Sequence, residues 1–285
     1  MKSKALTYLL SNQNADGGWG YAPLQSSAIE PTSALLLALR DIANCAQSSQ
    51  RAIEWLRRAQ NSDGGWGFNL NDAESGWQTA WAVLALRLTA GEGDGSRRGA
   101  KWLLNVQTMQ LTPATIQFSM KTLKIDPYLR GWPWLPGEAT WIEPTALSVL
   151  ALVSEADIAS SARMNEAIQY FQDRRCPRGG WNVGNPIMFN SALPAGAHTT
   201  ALVLLALSKL APKRINPEDI KVLRSEMGRG GGILGLAFGL LALRTLGEDD
   251  PLAEVRLSEM QGQNGGWADD LYKTAVVLMA LRGKI

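Results

Sequence analysis

The sequence predicts an all-α protein in which six helix hairpins close into an (α/α)6 barrel. Three observations support this: a recurring Gly-Gly-Trp turn, a recurring apolar Thr-Ala string, and the alternation of amphipathic with fully apolar helices. Internal repeats of this length are typical of repeat and toroidal folds. We therefore expect a single barrel domain over residues 1–285, with an insertion at about 108–139.

The turn string occurs four times and predicts where outer helices end. Its copies begin at Gln13, Gln60, Arg175 and Gln261, and each carries Gly-Gly-Trp shortly afterwards. Glycine supplies the left-handed backbone angles that terminate a helix. The tryptophan can then fold over the turn, and the glutamine can hydrogen-bond exposed backbone groups of the next unit.

The Thr-Ala string fixes the number of units, because six copies are present. A helix that is apolar on nearly all sides is buried on most of them, so these segments predict the inner helices. Amphipathic segments such as residues 51–60 precede them and predict the outer layer. The six copies start at Thr32, Thr79, Thr145, Thr200, Leu236 and Thr274.

Composition narrows the function classes. The chain is 46% hydrophobic with a formal net charge of +2, whereas nucleic-acid binding normally needs a concentrated basic face. Cys45 and Cys176 lie far apart, which indicates a reducing compartment without structural disulfides. No signal peptide or membrane-spanning stretch is recognisable. We therefore expect a cytoplasmic protein, and peripheral membrane contact stays open.

These two strings together resemble one superfamily. It contains the squalene–hopene and oxidosqualene cyclases, other class II terpene cyclases and the β subunits of protein prenyltransferases. The resemblance runs through nearly the whole chain, which looks like a single-barrel prenyltransferase/squalene-oxidase repeat protein. It implies an isoprenoid-processing barrel. Class II cyclases use the middle Asp of an Asp-x-Asp-Asp motif as the acid, and this motif is absent; Asp249-Asp250 and Asp269-Asp270 do not replace it.

The resemblance places that acid two residues before the Thr of a Thr-Ala string, a position that exists in every unit. Equivalent positions on successive inner helices face one mouth of the barrel, so their side chains should converge. A carboxyl in apolar surroundings has a raised pKa and can donate a proton. We expect Glu143, or alternatively Glu30, to be the acid and His198 to tune it. In chain order the position holds Glu30, Trp77, Glu143, His198, Leu234 and Tyr272.

Aromatic side chains near this position predict a substrate-binding wall. The candidates are Trp77, Trp81, Trp141 and Tyr272, whose faces could stabilise a carbocation. A purely structural interpretation also fits. The aromatic rings could serve packing alone, and a carboxylate followed by proline suits the first turn of a helix.

Three functions remain as hypotheses. The leading one is acid-initiated cyclisation of a polyprenyl substrate in the central cavity. The first alternative is a non-catalytic barrel that binds a hydrophobic ligand or a protein. The second is a metal-dependent, prenyltransferase-like barrel, in which Glu143 and His198 match two zinc ligands. Thr145 stands where the third ligand, a cysteine, would be. Because tight zinc sites need three protein ligands, we expect no metal and no cofactor.

A carbocation needs protection from water, so something should cover the mouth. The predicted insertion at about 108–139, with its Pro- and Trp-rich stretch 128–136, is one candidate lid. A second copy of the chain or a separate subunit is the other. An apolar patch of several hundred Å² at the mouth would indicate such a partner.

Overall fold

The computed structural model describes residues 1–154 and 156–285. Short 3-10 turns at Ala43–Cys45 and Pro212–Arg214 and a π turn at Ser119–Leu123 supplement the α-helices. The helices are α1 (Lys2–Ser11), α2 (Ile29–Leu39), α3 (Ala46–Arg58), α4 (Gln78–Ala90), α5 (Asp94–Asn105), α6 (Pro113–Phe118), α7 (Ile142–Leu152), α8 (Ala156–Ala159), α9 (Ala162–Asp173), α10 (Ala197–Leu210), α11 (Pro217–Gly228), α12 (Gly232–Thr245), α13 (Pro251–Glu259) and α14 (Leu271–Arg282).

The six helices that carry the apolar strings form a closed inner ring. In order, α2, α4, α7, α10, α12 and α14 each pack against the next, and α14 packs against α2. Almost every side chain of these helices is buried, as their composition predicts. We call the end of the ring where these helices begin the amino end, and the end where they finish the carboxyl end.

An outer layer of amphipathic helices surrounds this ring. The helices α1, α3, α5, α9, α11 and α13 each pack against at least one inner helix. In α3, for example, Ile53, Trp55 and Leu56 are buried, whereas Arg57 and Arg58 are exposed. The predicted all-α fold class is confirmed. Within the described residues the strands are two-residue pairs, β1 (Trp132–Pro133) with β2 (Thr140–Trp141) and β3 (Ile187–Met188) with β4 (Ser191–Ala192).

A tryptophan connects the outer and inner helices of five units in the same way. Trp19 donates its backbone N–H to Thr32 Oγ1, and its indole N–H to the carbonyl of Leu9, both at 2.9 Å. The first bond holds the start of an inner helix and the second satisfies a free carbonyl at the end of an outer helix. The equivalent tryptophans are Trp66, Trp132, Trp181 and Trp267.

Trp132 lies inside the segment that the sequence assigned to the insertion. Its indole N–H donates to Leu103 O and its backbone N–H to Thr145 Oγ1, each at 2.8 Å. The third unit therefore keeps its turn. The additional chain is the part between the end of α5 and Gly131, which contains α6 and the π turn.

Glutamines link three of the turns to the following unit. Gln13 Nε2 donates to the carbonyl of Ser48, 2.9 Å away near the start of α3. Gln60 makes the same bond to Gly95 O at 2.9 Å, and Gln261 donates to Met1 O at 3.1 Å. These contacts join α1 to α3, α3 to α5 and, between the last outer helix and the first, α13 to α1.

Arginines connect the inner helices at the carboxyl end. Arg282 donates to the carbonyl of Ala38 at 2.7 Å, and Arg244 donates to that of Ala280 at 2.9 Å. Arg87 makes the equivalent bond to Ala151 O at 2.6 Å. Each arginine follows an Ala-Leu pair and reaches the alanine of the same pair in the next unit. Three of the six contacts between neighbouring inner helices therefore contain an arginine bond of the same type, which we call the arginine clamp.

Candidate functional site

Four polar residues occupy the second position of their inner helices, and all four lie at the amino end. They are Glu30 of α2, Glu143 of α7, His198 of α10 and Tyr272 of α14. The structure brings them together. His198 Nε2 lies 3.8 Å from Glu143 Oε1, and the negative charge of Glu143 raises the pKa values of both Glu30 and Tyr272. The predicted convergence of these side chains is observed. We call these four residues the polar ring.

Tyr21 also belongs to this site, although the alignment of the six repeated units did not predict it. Its phenol donates a short hydrogen bond to Glu30 Oε2. The Tyr21 ring lies edge-on to Tyr272, with the ring centres 6.2 Å apart, and stacks on Phe68 at 6.1 Å. Tyr21 therefore connects the Glu30 carboxyl to the start of α14.

A regular backbone contact explains the location of Tyr21. In four units the residue two positions after the turn tryptophan accepts, through its carbonyl, the N–H at the start of the preceding unit's inner helix. Such bonds satisfy donors that a helix start leaves free. The pairs are Ile29 with Phe68 (3.0 Å), Trp77 with Trp134 (2.9 Å), Ile142 with Val183 (3.0 Å) and Leu271 with Tyr21 (2.7 Å).

The two carboxyl groups are difficult to ionise in this position. Burial raises the pKa of Glu30 to about 7, although the hydrogen bond from Tyr21 opposes the rise. The negative charge of Glu143 raises the Glu30 pKa further. Burial also raises the pKa of Glu143 to about 7. Both groups sit in the first turn of a helix, whose dipole favours the ionised form, so loss of hydration is the dominant effect.

His198 is uncharged in this site. Burial lowers its pKa to about 4, and its ring stacks on Phe238 with 4.8 Å between the ring centres. Its Nε2 atom is buried and has no hydrogen-bond partner among the described residues. The Tyr272 hydroxyl is also buried, and its hydrogen-bond interaction with the Glu30 carboxyl lowers the pKa of Glu30.

The aromatic residues predicted to form one wall do not all lie together: Trp81 contacts Tyr272 of the polar ring, whereas Trp141 lies in a different cavity. Trp81 is buried and lies edge-on to Tyr272, with ring centres 5.9 Å apart. Trp77 packs edge-on against Trp134 of the predicted insertion at 4.9 Å. Trp141 lines a separate cavity of about 640 Å³, formed by residues 108–130, residues 138–141, Arg174 and the loop at Gly184.

The interior of the barrel is filled by side chains beyond the polar ring. Leu37, Leu84, Leu150 and Met279 of the inner helices are at most 4% exposed. By contrast, 21% of the Glu143 side chain and 26% of His198 reach solvent. The site is thus a shallow mouth at the amino end and not the wide central cavity that the sequence led us to expect.

In the described part of the chain, no three His, Cys, Asp or Glu side chains are arranged to hold a metal ion. No helix in the same residues combines the length and apolar character needed to cross a bilayer.

A closed ring of inner and outer helices with an acidic, aromatic mouth defines an α/α toroid. Residues 1–121 match the family model of the squalene-hopene cyclase C-terminal domain. This match supports the predicted resemblance to the squalene–hopene cyclases over those residues. No curated protein matches the chain.

Solved structures share the fold at low sequence identity. A variant of the type II terpene cyclase MstE from Scytonema, in complex with geranylgeranyl dihydroxybenzoate, has a TM-score of 0.69 at 15% identity, covering 99% of this chain and 95% of that one. A protein from Actinoplanes has a TM-score of 0.65 at 18% identity, with coverage of 99% and 98%. An alpha-amylase from Clostridium perfringens reaches 0.67 at 11% identity, with the same coverage. The toroid therefore hosts different chemistries.

Proposed function

We propose that this protein is a terpene-cyclase-like, isoprenoid-processing barrel that starts cyclisation of a polyprenyl substrate by proton transfer from Glu143. The observation that carries the proposal is the carboxyl pair of the polar ring, in which burial raises the pKa of both Glu30 and Glu143 to about 7. Such a pair keeps a protonated carboxylic acid available at neutral pH.

The surroundings of the two carboxyls favour different roles. Because Glu30 accepts a hydrogen bond from Tyr21, its ionised form is stabilised. Burial is the one resolved cause of the shift at Glu143, so the shared proton belongs on Glu143. The pair titrates together, and its two apparent pKa values describe the pair.

The chemical step needs no cofactor. The Glu143 proton adds to one carbon of an alkene, the π electrons form the new C–H bond, and the cation develops on the neighbouring carbon. The Glu143 carboxylate, now ionised, stabilises that cation through its charge, and Tyr272 and Trp81 do so through their aromatic rings. Loss of a proton from the cyclised cation to Glu143 would restore the acid.

Because the barrel interior is filled, we propose that the substrate lies in the mouth and not along the barrel axis. Trp134, from the turn of the third unit, packs on Trp77 at this end and could line the substrate site. Exposed Phe118, Met120 and Tyr128 of the predicted insertion offer apolar surface to a substrate or partner. A second copy or a separate subunit over the mouth stays a prediction.

The test is incubation of the purified protein in D2O with C15 to C30 prenyl substrates, followed by mass spectrometry of the products. Proton-initiated cyclisation should incorporate solvent deuterium into a cyclic product. Glu143→Gln should abolish this product, whereas Glu259→Gln, at an exposed carboxylate, should not. Full activity of a folded Glu143→Gln variant would eliminate Glu143 as the acid.

A non-catalytic barrel for a hydrophobic ligand is the second candidate. The filled interior and the missing Asp-x-Asp-Asp motif favour it. In the same incubation this candidate predicts that every substrate is recovered unchanged, while tryptophan fluorescence reports saturable binding.

A further inference from the structure

The carboxyl pair lacks the positive partner that buried carboxylates usually have. In the described part of the chain, the ion pairs of Lys and Arg reach neither Glu30 nor Glu143. The one basic group beside the pair, His198, is uncharged because burial lowers its pKa to about 4. An isolated buried carboxylate is costly, and a paired one much less so.

The one further charge resolved near Glu30 already has a counter-ion. The carboxylate of Asp270 raises the pKa of Glu30, and Asp270 itself forms an ion pair with Lys273 at 2.9 Å. The remaining titratable neighbours are Tyr21 and Tyr272, whose phenols stay neutral because burial raises their pKa values. Above neutral pH Glu30 and Glu143 therefore carry negative charge, and no Lys or Arg of the described residues forms an ion pair with either of them.

Aromatic side chains adjoin these charges. Tyr21 hydrogen-bonds Glu30 and contacts Tyr272, and Tyr272 contacts Trp81. Ring faces attract cations, most strongly where water is excluded. In addition, the buried His198 Nε2 has no partner among the described residues, which indicates that a bound group completes the site.

We propose that the amino-end mouth binds an organic cation, with an ammonium head group held between Glu30 and Glu143 and the adjoining aromatic rings. The apolar body of the ligand lies outward along the half-buried Trp77 and Trp134. This inference rests on the charge of the site and requires no turnover. It therefore applies equally to a cyclase and to a non-catalytic barrel.

Binding of this kind has a defined pH dependence. Ionisation of Glu30 and Glu143 creates the attraction, so affinity for a permanently charged ligand should rise as pH passes through about 7. A quaternary ammonium ion does not titrate, so the dependence reports the protein alone. Binding should also release protons, because a nearby cation stabilises the ionised carboxylates.

The experiment is isothermal titration calorimetry with octyltrimethylammonium and with 2-methyldecan-2-ol, a neutral alcohol of similar shape. The ammonium ion should bind at pH 8.5 and lose at least about tenfold in affinity by pH 5.5, a change of about 1.4 kcal/mol. The alcohol should bind more weakly and show no pH dependence. Equal affinities for the two ligands at pH 8.5, or a flat profile for the ammonium ion, would overturn the proposal.

Variants locate the site. Glu30→Gln/Glu143→Gln should bind the ammonium ion at least about tenfold more weakly at pH 8.5, with the alcohol unaffected. Glu259→Gln is the matched control and should behave as the unmodified protein. A folded double variant, verified by circular dichroism, that keeps full ammonium affinity would place binding elsewhere and refute the inference. If the double variant fails to fold, the comparison of the two ligands across pH decides the question in the unmodified protein.

Discussion

The two ends of the barrel are built by the same six inner helices, yet their polar groups are used in opposite ways. At the carboxyl end, Arg87, Arg244 and Arg282 donate to free carbonyls in the last turn of the next inner helix. Each bond satisfies an acceptor and offsets the negative end of a helix dipole. At the amino end, the charge of Glu143 raises the pKa of Glu30, and no Lys or Arg of the described residues forms an ion pair with either carboxyl.

The contrast suggests that polar groups at the carboxyl end stabilise the fold, whereas those at the amino end serve the function. The arginines at the carboxyl end all donate to backbone carbonyls of the next inner helix, so their replacement should cost stability. Groups at the amino end have pKa values displaced by burial, which is typical of functional sites. Their removal should leave stability unchanged or increase it, while eliminating the function of the mouth. Four predictions test this contrast.

The largest effect on stability is expected at the carboxyl end. Arg282→Ala removes the bonds to Ala38 O and Arg40 O, both at 2.7 Å, which join α14 to α2. Charged hydrogen bonds of this kind contribute about 1.5 to 3 kcal/mol, so the free energy of unfolding should fall by about 2 to 3 kcal/mol in a urea titration. Arg97→Ala, at an exposed side chain, is the control and should change little. If the two variants lost the same free energy of unfolding, the arginine clamp would not contribute to stability.

The opposite sign is expected at the amino end. The pKa of Glu143 is about 7 in the folded protein and near 4.5 when unfolded. The folded state therefore binds the extra proton, and its stability falls as pH rises from about 4.5 to 7. Glu143→Gln has no such loss and should be more stable than the unmodified protein by about 1 to 2 kcal/mol at pH 8.

The check is urea denaturation of both proteins at pH 4 and at pH 8. At pH 4 the carboxyl is protonated in both states, so the difference should vanish. Destabilisation by Glu143→Gln at pH 8 would show that the ionised group has a stabilising partner, contrary to the contrast between the ends.

A smaller effect tests whether the third unit is an ordinary one at its amino end. Trp132→Phe removes the 2.8 Å bond to Leu103 O but keeps an aromatic ring. We expect a loss of about 1 kcal/mol, the usual net contribution of a neutral hydrogen bond. Trp66→Phe removes the equivalent bond to Leu56 O and should cost the same. A negligible loss at Trp132 alone would mean that the segment 108–139 is only loosely attached.

The mildest test changes no residue. His198 is the one histidine of the chain, so its NMR signals can be assigned without ambiguity. Burial lowers its pKa to about 4, so the imidazole should stay neutral through pH 5 and protonate only below that. A midpoint near the ordinary value of 6.5 would mean that His198 carries charge beside Glu143 and that the mouth is not purely acidic.

The helical layers were predictable because their signal is repeated. The apolar strings from Thr32 and Thr145, for instance, fall within α2 and α7. Trp132 was missed since Arg130 stands where other turns have glycine. However, the distance from tryptophan to the threonine of the string is 13 residues in the first three units, a spacing that would have found it.

The site was predictable in part. One position shared by the repeated units holds Glu30, Glu143, His198 and Tyr272, so the sequence alone predicts that these side chains lie together. Tyr21 escaped because it belongs to a turn and reaches the site through the backbone bond at Leu271. How far the inner side chains fill the barrel depends on packing across all six helices, which no single repeat encodes.

The bond from Gln261 to Met1 and the contact of α14 with α2 make the array of hairpins circular. A linear solenoid has exposed first and last repeats, can fray from either, and gains stability roughly repeat by repeat. In a circle every hairpin has two neighbours, so removal of any one exposes two apolar faces at once. Denaturation should consequently be a single cooperative transition, and partly unfolded forms that lack one hairpin should be scarce and susceptible to aggregation.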